Sequence, residues 1–295
     1  MMVNMATSIK PLPPWITVPL IVGAIVLLVW RERRRPLRRG TEPRTRRQVR
    51  NLALAGLAAL ATILVETPLI QPLTFAVERN HWGLLGRLAL PLWVEIAASL
   101  VLMDYTLYVW HVLMHRAPFL WRFHAVHHVD LDLDTSTALR FHFGELLVSV
   151  PWRAAQVVLI GLSPFTFSVW QLSFALCVLF HHSNVELPLN FERLLNRLLV
   201  TPRMHGIHHS KVLGETNSNW SSGLTVWDWL HGTLRLNVLQ QSITIGVPAL
   251  RNPESVTFGK IVAMPFLHQP EYWPPSHNDD RRDSNEGSAQ WRMLP

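Results

Sequence analysis

Residues 12–30, LPPWITVPLIVGAIVLLVW, run for nineteen residues without a charge. A helix of that length matches the ~30 Å hydrocarbon core of a bilayer. In lipid the backbone polar groups must be satisfied inside the segment, which leaves helices as the available form for such a stretch. It starts too late and runs too long for a cleaved signal peptide, and no basic segment precedes it. Residues 51–73 repeat the pattern with Glu66 as the sole interruption, and a third stretch covers about 88–110. Residues 146–180 are apolar or neutral except for Arg153, with GLSP at 161–164. That length and that breaker suit a helical hairpin turning at Gly161–Pro164. The expectation is an all-α integral membrane protein with about four transmembrane helices, plus or including a helical hairpin.

Charge is distributed to match. The net charge of +7 resembles a nucleic-acid signal until it is located. Residues 31–50, RERRRPLRRGTEPRTRRQVR, hold ten Arg against two Glu, a net of +8, so the rest of the chain is near neutral at −1. A polybasic loop between two spans explains this better than a nucleic-acid face, and such loops stay in the cytoplasm. With residues 31–50 inside, the second span goes out, the third returns, and the hairpin goes out and back. The single cysteine, Cys177, excludes a disulfide framework and a thiolate metal cluster.

Histidines are grouped on this plan. His111 and His115 close the third span. FHAVHHVD follows with His124, His127 and His128. HHSN (His181, His182) ends the hairpin, and MHGIHH carries His205, His208 and His209. Parity places every group on the cytoplasmic side. Residues three and four apart share a helix face, so each set presents several imidazoles together, the last two of HxxHH able to reach different metals. Neutral imidazoles suit Fe, Zn, Cu or Ni and not Mg or Ca. Taken singly, His81, His231, His268 and His277 read as ordinary surface or core residues. A metal transporter, the alternative reading, would place ionisable ligands near the bilayer midplane. The centres of the first three spans carry no histidine.

HxxxH, HxxHH, a later histidine and a second HxxHH on a membrane chain resemble the fatty acid hydroxylase/sterol desaturase superfamily. DYTLYVWHVLMHR, FHAVHHVDLDLDTSTALRFHFGE, HHSNVELP and NWSSGLTVWDWLHGT carry the likeness over about residues 95–235. Within the family the arrangement is most similar to the alkylglycerol monooxygenase group and its bacterial relatives. The resemblance implies O2-activating membrane enzymes with two iron ions, for which zinc can substitute on overexpression. Val112 and Ser221 depart from the pattern at non-ligand positions.

It further implies one metal on His111, His124, His127, His205 and His208. The second would take His115, His128, His209 and His182, with His181 as the fallback. Val178 stands where many relatives have another histidine, and His142 is a weak candidate to compensate. Asp104 and Tyr108 share a helical stripe with His111 and His115 and are the expected catalytic neighbours. Asp130, Asp132 and Asp134 are candidate acceptors for imidazole N–H groups. Trp227 and Asp228 suit the docking of a C-terminal helix.

The implied domain plan is 1–87 for N-terminal spans and basic loop, 88–240 for a cytoplasmic-facing histidine-rich di-iron domain, and 241–295 for an extension ending in a polar tail. The implied reaction is hydroxylation or desaturation of a fatty acyl, sterol, alkyl-glycerol or isoprenoid chain. Trp93, Trp152, Phe165, Phe167, Trp170 and Phe174 are candidate walls on its route. No Gly-rich nucleotide fingerprint is present, so electrons are expected from an external donor, a ferredoxin, a cytochrome or their reductases. The expected location is the bacterial inner membrane with the active site in the cytoplasm.

Overall fold

The computed structural model describes residues 9–274, and these are mostly helical, with three isolated β-bridges and no strand among them. Five helices are long and apolar enough to cross a membrane: Pro14–Arg34, Arg44–Gly86, Leu92–Arg116, Phe143–Gly161 and Pro164–His182. We label α1 as Pro14–Arg34, α2 as Arg44–Ala61, α3 as Thr67–Asn80 and α4 as Leu92–Arg116. Then come α5, Pro118–His128; α6, Phe143–Gln156; α7, Pro164–His182; α8, Pro202–His208; and α9, Val226–Leu230. A π-turn at Thr62–Glu66 joins α2 to α3, and a second, Val157–Gly161, ends the first arm of the hairpin.

Local chemistry accounts for several of the boundaries. Pro164 opens α7 behind Ser163, whose hydroxyl accepts from the Thr166 amide, and Pro202 opens α8 behind Thr201 in the same way. Arg31, Arg33 and Arg34 close α1 where cations favour a helix C-terminus. The hairpin turns at Gly161, whose φ is +89°, against Gly83 at +82°. A Cβ on Gly83 would lie 2.3 Å from the Gly161 nitrogen, so two backbones meet there without side chains. This meeting closes the end of the bundle away from the histidines. The core beside it is apolar, built on Met103, Leu107, Val157, Leu162 and Trp170. The lone charges of the second span and the hairpin find each other: Arg153 Nε is 3.8 Å from Glu66 and lies over the Trp170 ring.

At the opposite end the arginine-rich segment is a structural frame. Arg47 is buried and pairs with Asp130 at 2.9 Å and with Asp134, while the Thr41 and Glu42 amides donate to Asp132. Arg50 grips Glu42 with two bonds of 2.9 and 2.7 Å. Burial pushes the Asp130 carboxyl up, but Arg47, Arg140 and Arg50 outweigh it and hold the group below the usual carboxylate range. The three aspartates thus serve the arginines, and among the described residues none accepts from an imidazole. Glu32, 1% exposed, accepts from Thr135 and from the Asn184 amide at 2.8 Å. The end of α1 thereby ties the loop after α5 to the segment after α7. Residues 271–274 pack as well: Tyr272 is buried and Trp273 Nε1 donates to the Lys211 carbonyl. The rest of the expected polar tail, 275–295, lies outside the described residues.

Candidate metal centre

Nine imidazoles converge at the ends of α4, α5, α7 and α8. Their donor atoms form two groups, each with all members within 4.8 Å of one another. The first holds His111, His115, His124, His128 and His208; the second holds His127, His182, His205 and His209. This division differs from the one the resemblance implies. His127 and His205 stand with the second group, and His115 and His128 with the first. Helix geometry gives the reason: residues i and i+4 differ by about 40° around the axis, i and i+3 by about 60° on the other side. His124 and His128 therefore stay together while His127 crosses over, and His205 and His209 stay together while His208 crosses back. His181 stands outside both groups, one residue and about 100° away from His182.

The ring orientations are set by backbone oxygens. His111, His181 and His208 place Nδ1 against the carbonyls of Trp220, Ser222 and Ser218, at 2.7, 2.9 and 2.9 Å. Alternate residues of one segment, 218–222, thus serve three imidazoles on three helices. Two aspartates hold that segment. Asp228 accepts from the Trp220 and Ser221 amides, and Asp104 accepts from the Leu224 amide and the Trp227 indole. Tyr108 bonds to Thr233, itself a donor to Asp228. Asp104 and Tyr108 are accordingly anchors of this segment, and neither lines the cavity beside the histidines. Burial pushes the Asp228 carboxyl up against the pull of these donors.

In the second group, His127 faces the Arg140 carbonyl through Nδ1 at 3.3 Å, and His182 faces the Val178 carbonyl at 2.9 Å. A carbonyl only accepts, so each Nδ1 carries the proton and each Nε2 is a bare lone pair. Yet His127 Nε2 and His182 Nε2 face each other at 2.9 Å. His111 and His124 repeat this at 3.2 Å in the first group, the His124 Nδ1–H donating to Glu145 Oε1 at 3.1 Å. Neither pair can form a hydrogen bond between its two lone pairs; a cation between the nitrogens resolves each. The Nε2 atoms of His115, His128 and His208 are also buried without a partner. Five or four neutral nitrogens with no thiolate and no directly placed carboxylate fit a transition metal in each group. Burial, then the neighbouring imidazoles, holds His127, His128, His205 and His209 well below the ordinary histidine value. They are the neutral form a metal requires.

His142 belongs elsewhere. It caps α6 by accepting from the Gly144 amide at 2.9 Å, and its other nitrogen meets the Val262 carbonyl. A cavity of about 80 Å³ opens over the two groups. It is lined by His111, His124, His127, His181, His182 and His205, with an apolar wall of Leu107, Trp110, Met114, Phe141, Phe174 and Val178. Of the aromatic walls expected from the sequence only Phe174 lines it. Trp152 stacks behind Trp110 at 5.3 Å, and Trp93 is 74% exposed. Sequence reasoning missed Glu145, which lines the same cavity; its signal was a carboxylate at the start of an apolar arm, three residues after His142.

Fold and site together define an integral membrane protein with two histidine clusters that could bind metal at one end of its bundle. Residues 96–233 match the model of the Fatty acid hydroxylase family. An ornithine lipid hydroxylase of Rhizobium tropici is 34% identical over 158 residues, 53% of this chain and 46% of that protein. Cholesterol 25-hydroxylase of Mus musculus is 28% identical, covering 50% of this chain and 49% of its own length. Alkylglycerol monooxygenase of Homo sapiens is 29% identical, covering 44% and 28%. The chain spans about half or less of the length of these relatives. No solved structure matches.

Proposed function

We propose that this chain is a membrane-bound, non-haem di-iron oxygenase that hydroxylates a C–H bond of a lipid-like substrate. One observation carries the reading: two pairs of facing imidazole lone pairs, His127–His182 and His111–His124, at the base of a cavity with an apolar wall. Iron held by the two groups would supply O2 activation toward an unactivated C–H bond, and zinc would displace it on overexpression because it binds such ligands more tightly than Fe²⁺. Leu107, Trp110, Met114, Phe141, Phe174 and Val178 receive the chain to be oxidised and keep bulk water away from the histidines. Each CH2 they cover contributes ~0.8 kcal/mol, while a polar head group remains at the interface. The carbonyls of Trp220 and Ser218 keep Nδ1 protonated and Nε2 free in His111 and His208, so no proton rearrangement precedes metal binding there.

The relatives support the lipid class, since their names specify an ornithine lipid, cholesterol and alkylglycerols. Electrons come from an external donor protein. The arginine-rich segment frames the histidines, and with the charge bias of 31–50 this supports a cytoplasmic site, in a bacterial inner membrane.

Expression in a lipid-producing host with isotopically labelled O2 should yield a lipid carrying one labelled oxygen. His127→Ala should abolish it. Water-soluble products alone, with lipids failing to compete, would sink the reading. Single cysteines at Thr45 and Lys211, with Cys177 replaced, should label from the cytoplasmic side; opposite sidedness overturns the location.

A further inference from the structure

The histidine groups are largely buried, and an electron from another protein has to cross the side chains around them. Two aromatic chains cross this layer. The first starts at Trp121, whose ring centroid is 5.0 Å from that of His115 and 5.4 Å from that of His128. Trp121 meets Trp273 at 5.7 Å and Tyr272 at 5.8 Å. Trp273 is half-buried and reaches the surface. Its place is held by the indole bond to the Lys211 carbonyl and by the Ala249 amide donating to the Tyr272 carbonyl. The second chain runs from His115 to Trp220 at 6.3 Å, to Tyr108 at 6.4 Å and to His231 at 5.0 Å.

The surfaces at the two outlets differ. Beside His231 stand Trp229 and Leu230, 71% and 59% exposed, an apolar patch that suits lipid. Beside Trp121 and Trp273 stand the exposed Arg122, close to Tyr272, and the half-buried Lys211, whose carbonyl receives the Trp273 indole, while Arg116 lies over the Trp220 ring of the second chain at 5.6 Å. Among the described residues neither Arg122 nor Lys211 is paired with a carboxylate, and Glu271 is the only acidic residue on segment 269–274. The first chain is also shorter, with two aromatic rings between ligand and surface against three.

We propose that the face formed by Trp121, Trp273, Arg122 and Lys211 is the docking and electron-input surface for an acidic one-electron donor protein. It rests on the oxygenase reading, because hydroxylation with release of water consumes two electrons and two protons beside O2. Each transfer would oxidise the donor's reduced group by one electron and reduce by one a metal ion that His115 and His128 would hold. No bond is made or broken at the tryptophans. The cationic rim gives a salt-dependent encounter with an acidic partner, and the indole pair provides the path.

The probe is an acidic plant-type [2Fe–2S] ferredoxin, used with the full-length protein in nanodiscs. Its binding to the zinc-loaded protein needs no turnover. Arg122→Glu with Lys211→Glu should weaken that binding at least roughly tenfold at low salt and erase its salt dependence. Unchanged binding overturns the docking face. With the iron-loaded protein, Trp273→Leu should slow reduction by the ferredoxin roughly tenfold or more, while Trp273→Phe keeps most of the rate and both keep wild-type metal content. Dithionite should reduce all variants equally, which a general loss of structure would not allow. A slow Trp220→Phe beside a normal Trp273→Leu would overturn the path in favour of the second chain. Failure of lipid oxidation with normal ferredoxin docking and reduction would strike the oxygenase reading alone.

Discussion

The two histidine groups are built from the same residue type and the same HxxHH spacing, yet they are held differently. The first has five donors, and three of its rings are oriented from outside their own helices: His111 and His208 by the 218–222 segment, and His124 by the Glu145 carboxylate. The second has four donors, with His182 held by a carbonyl of its own helix and His127 by the Arg140 carbonyl. The Nδ1 atoms of His205 and His209 are buried without partners. One group is over-supplied with ligands and tied to distant segments. The other has no spare donor, and its orientation is more local. A metal ion in the second group should be the easier to lose.

Ligand deletion gives the largest contrast. His127→Ala leaves the second group three donors, and total metal by elemental analysis should fall to about one ion per chain, with oxygen uptake at background. His115→Ala leaves the first group four donors and should retain most of its metal. Equal losses from the two variants would erase the asymmetry.

The outer partners come next. Glu145→Ala removes the carboxylate behind His124 and should lower first-group affinity roughly 10–100-fold in a chelator titration, leaving the second group's phase in place. A shift of both phases together would mean the groups are one cooperative unit.

Acid should act on both groups. His127, His128, His205, His208 and His209 are pushed down by burial first, so the unfolded chain takes up protons near its ordinary pKa of about 6.5 where the folded one does not. The metal-free protein should therefore hold its full stability above about pH 6.5 and lose it progressively below, melting lower at about pH 5.5 than at about pH 7.5. A flat profile would show that these imidazoles titrate in the fold as they do in the unfolded chain.

The smallest effect is expected at Asp104. Asp104→Asn loses the carboxylate that receives the Leu224 amide and the Trp227 indole, a local cost of about 1–3 kcal/mol. Because the segment it anchors orients His111 and His208, the first-group metal should loosen modestly and the second should not respond. The opposite pattern would assign Asp104 to the second group.

The sequence by itself determined the membrane helices, the hairpin turn at Gly161–Pro164, and the set of histidines that would meet. These follow from local periodicity: apolar length dictates a span, and spacing of three or four dictates a shared helix face. Parity along the chain was enough to bring HxxxH, HxxHH and HHSN to one end of the bundle. Tertiary structure decided which nitrogens form each group. Helix geometry keeps the i and i+4 histidines of each HxxHH together and turns the i+3 histidine the other way, and the meeting of α5 with α8 decides which partners each finds. It also decided the partners of the charges. Asp130, Asp132 and Asp134 lie beside His124, His127 and His128 in the sequence, yet they bind Arg47 and the Thr41–Glu42 amides some ninety residues earlier. A short charged side chain carries no mark of the partner it will meet. The alternating carbonyls of 218–222 were invisible for a related reason: every residue has a carbonyl, and only the fold determines where it points.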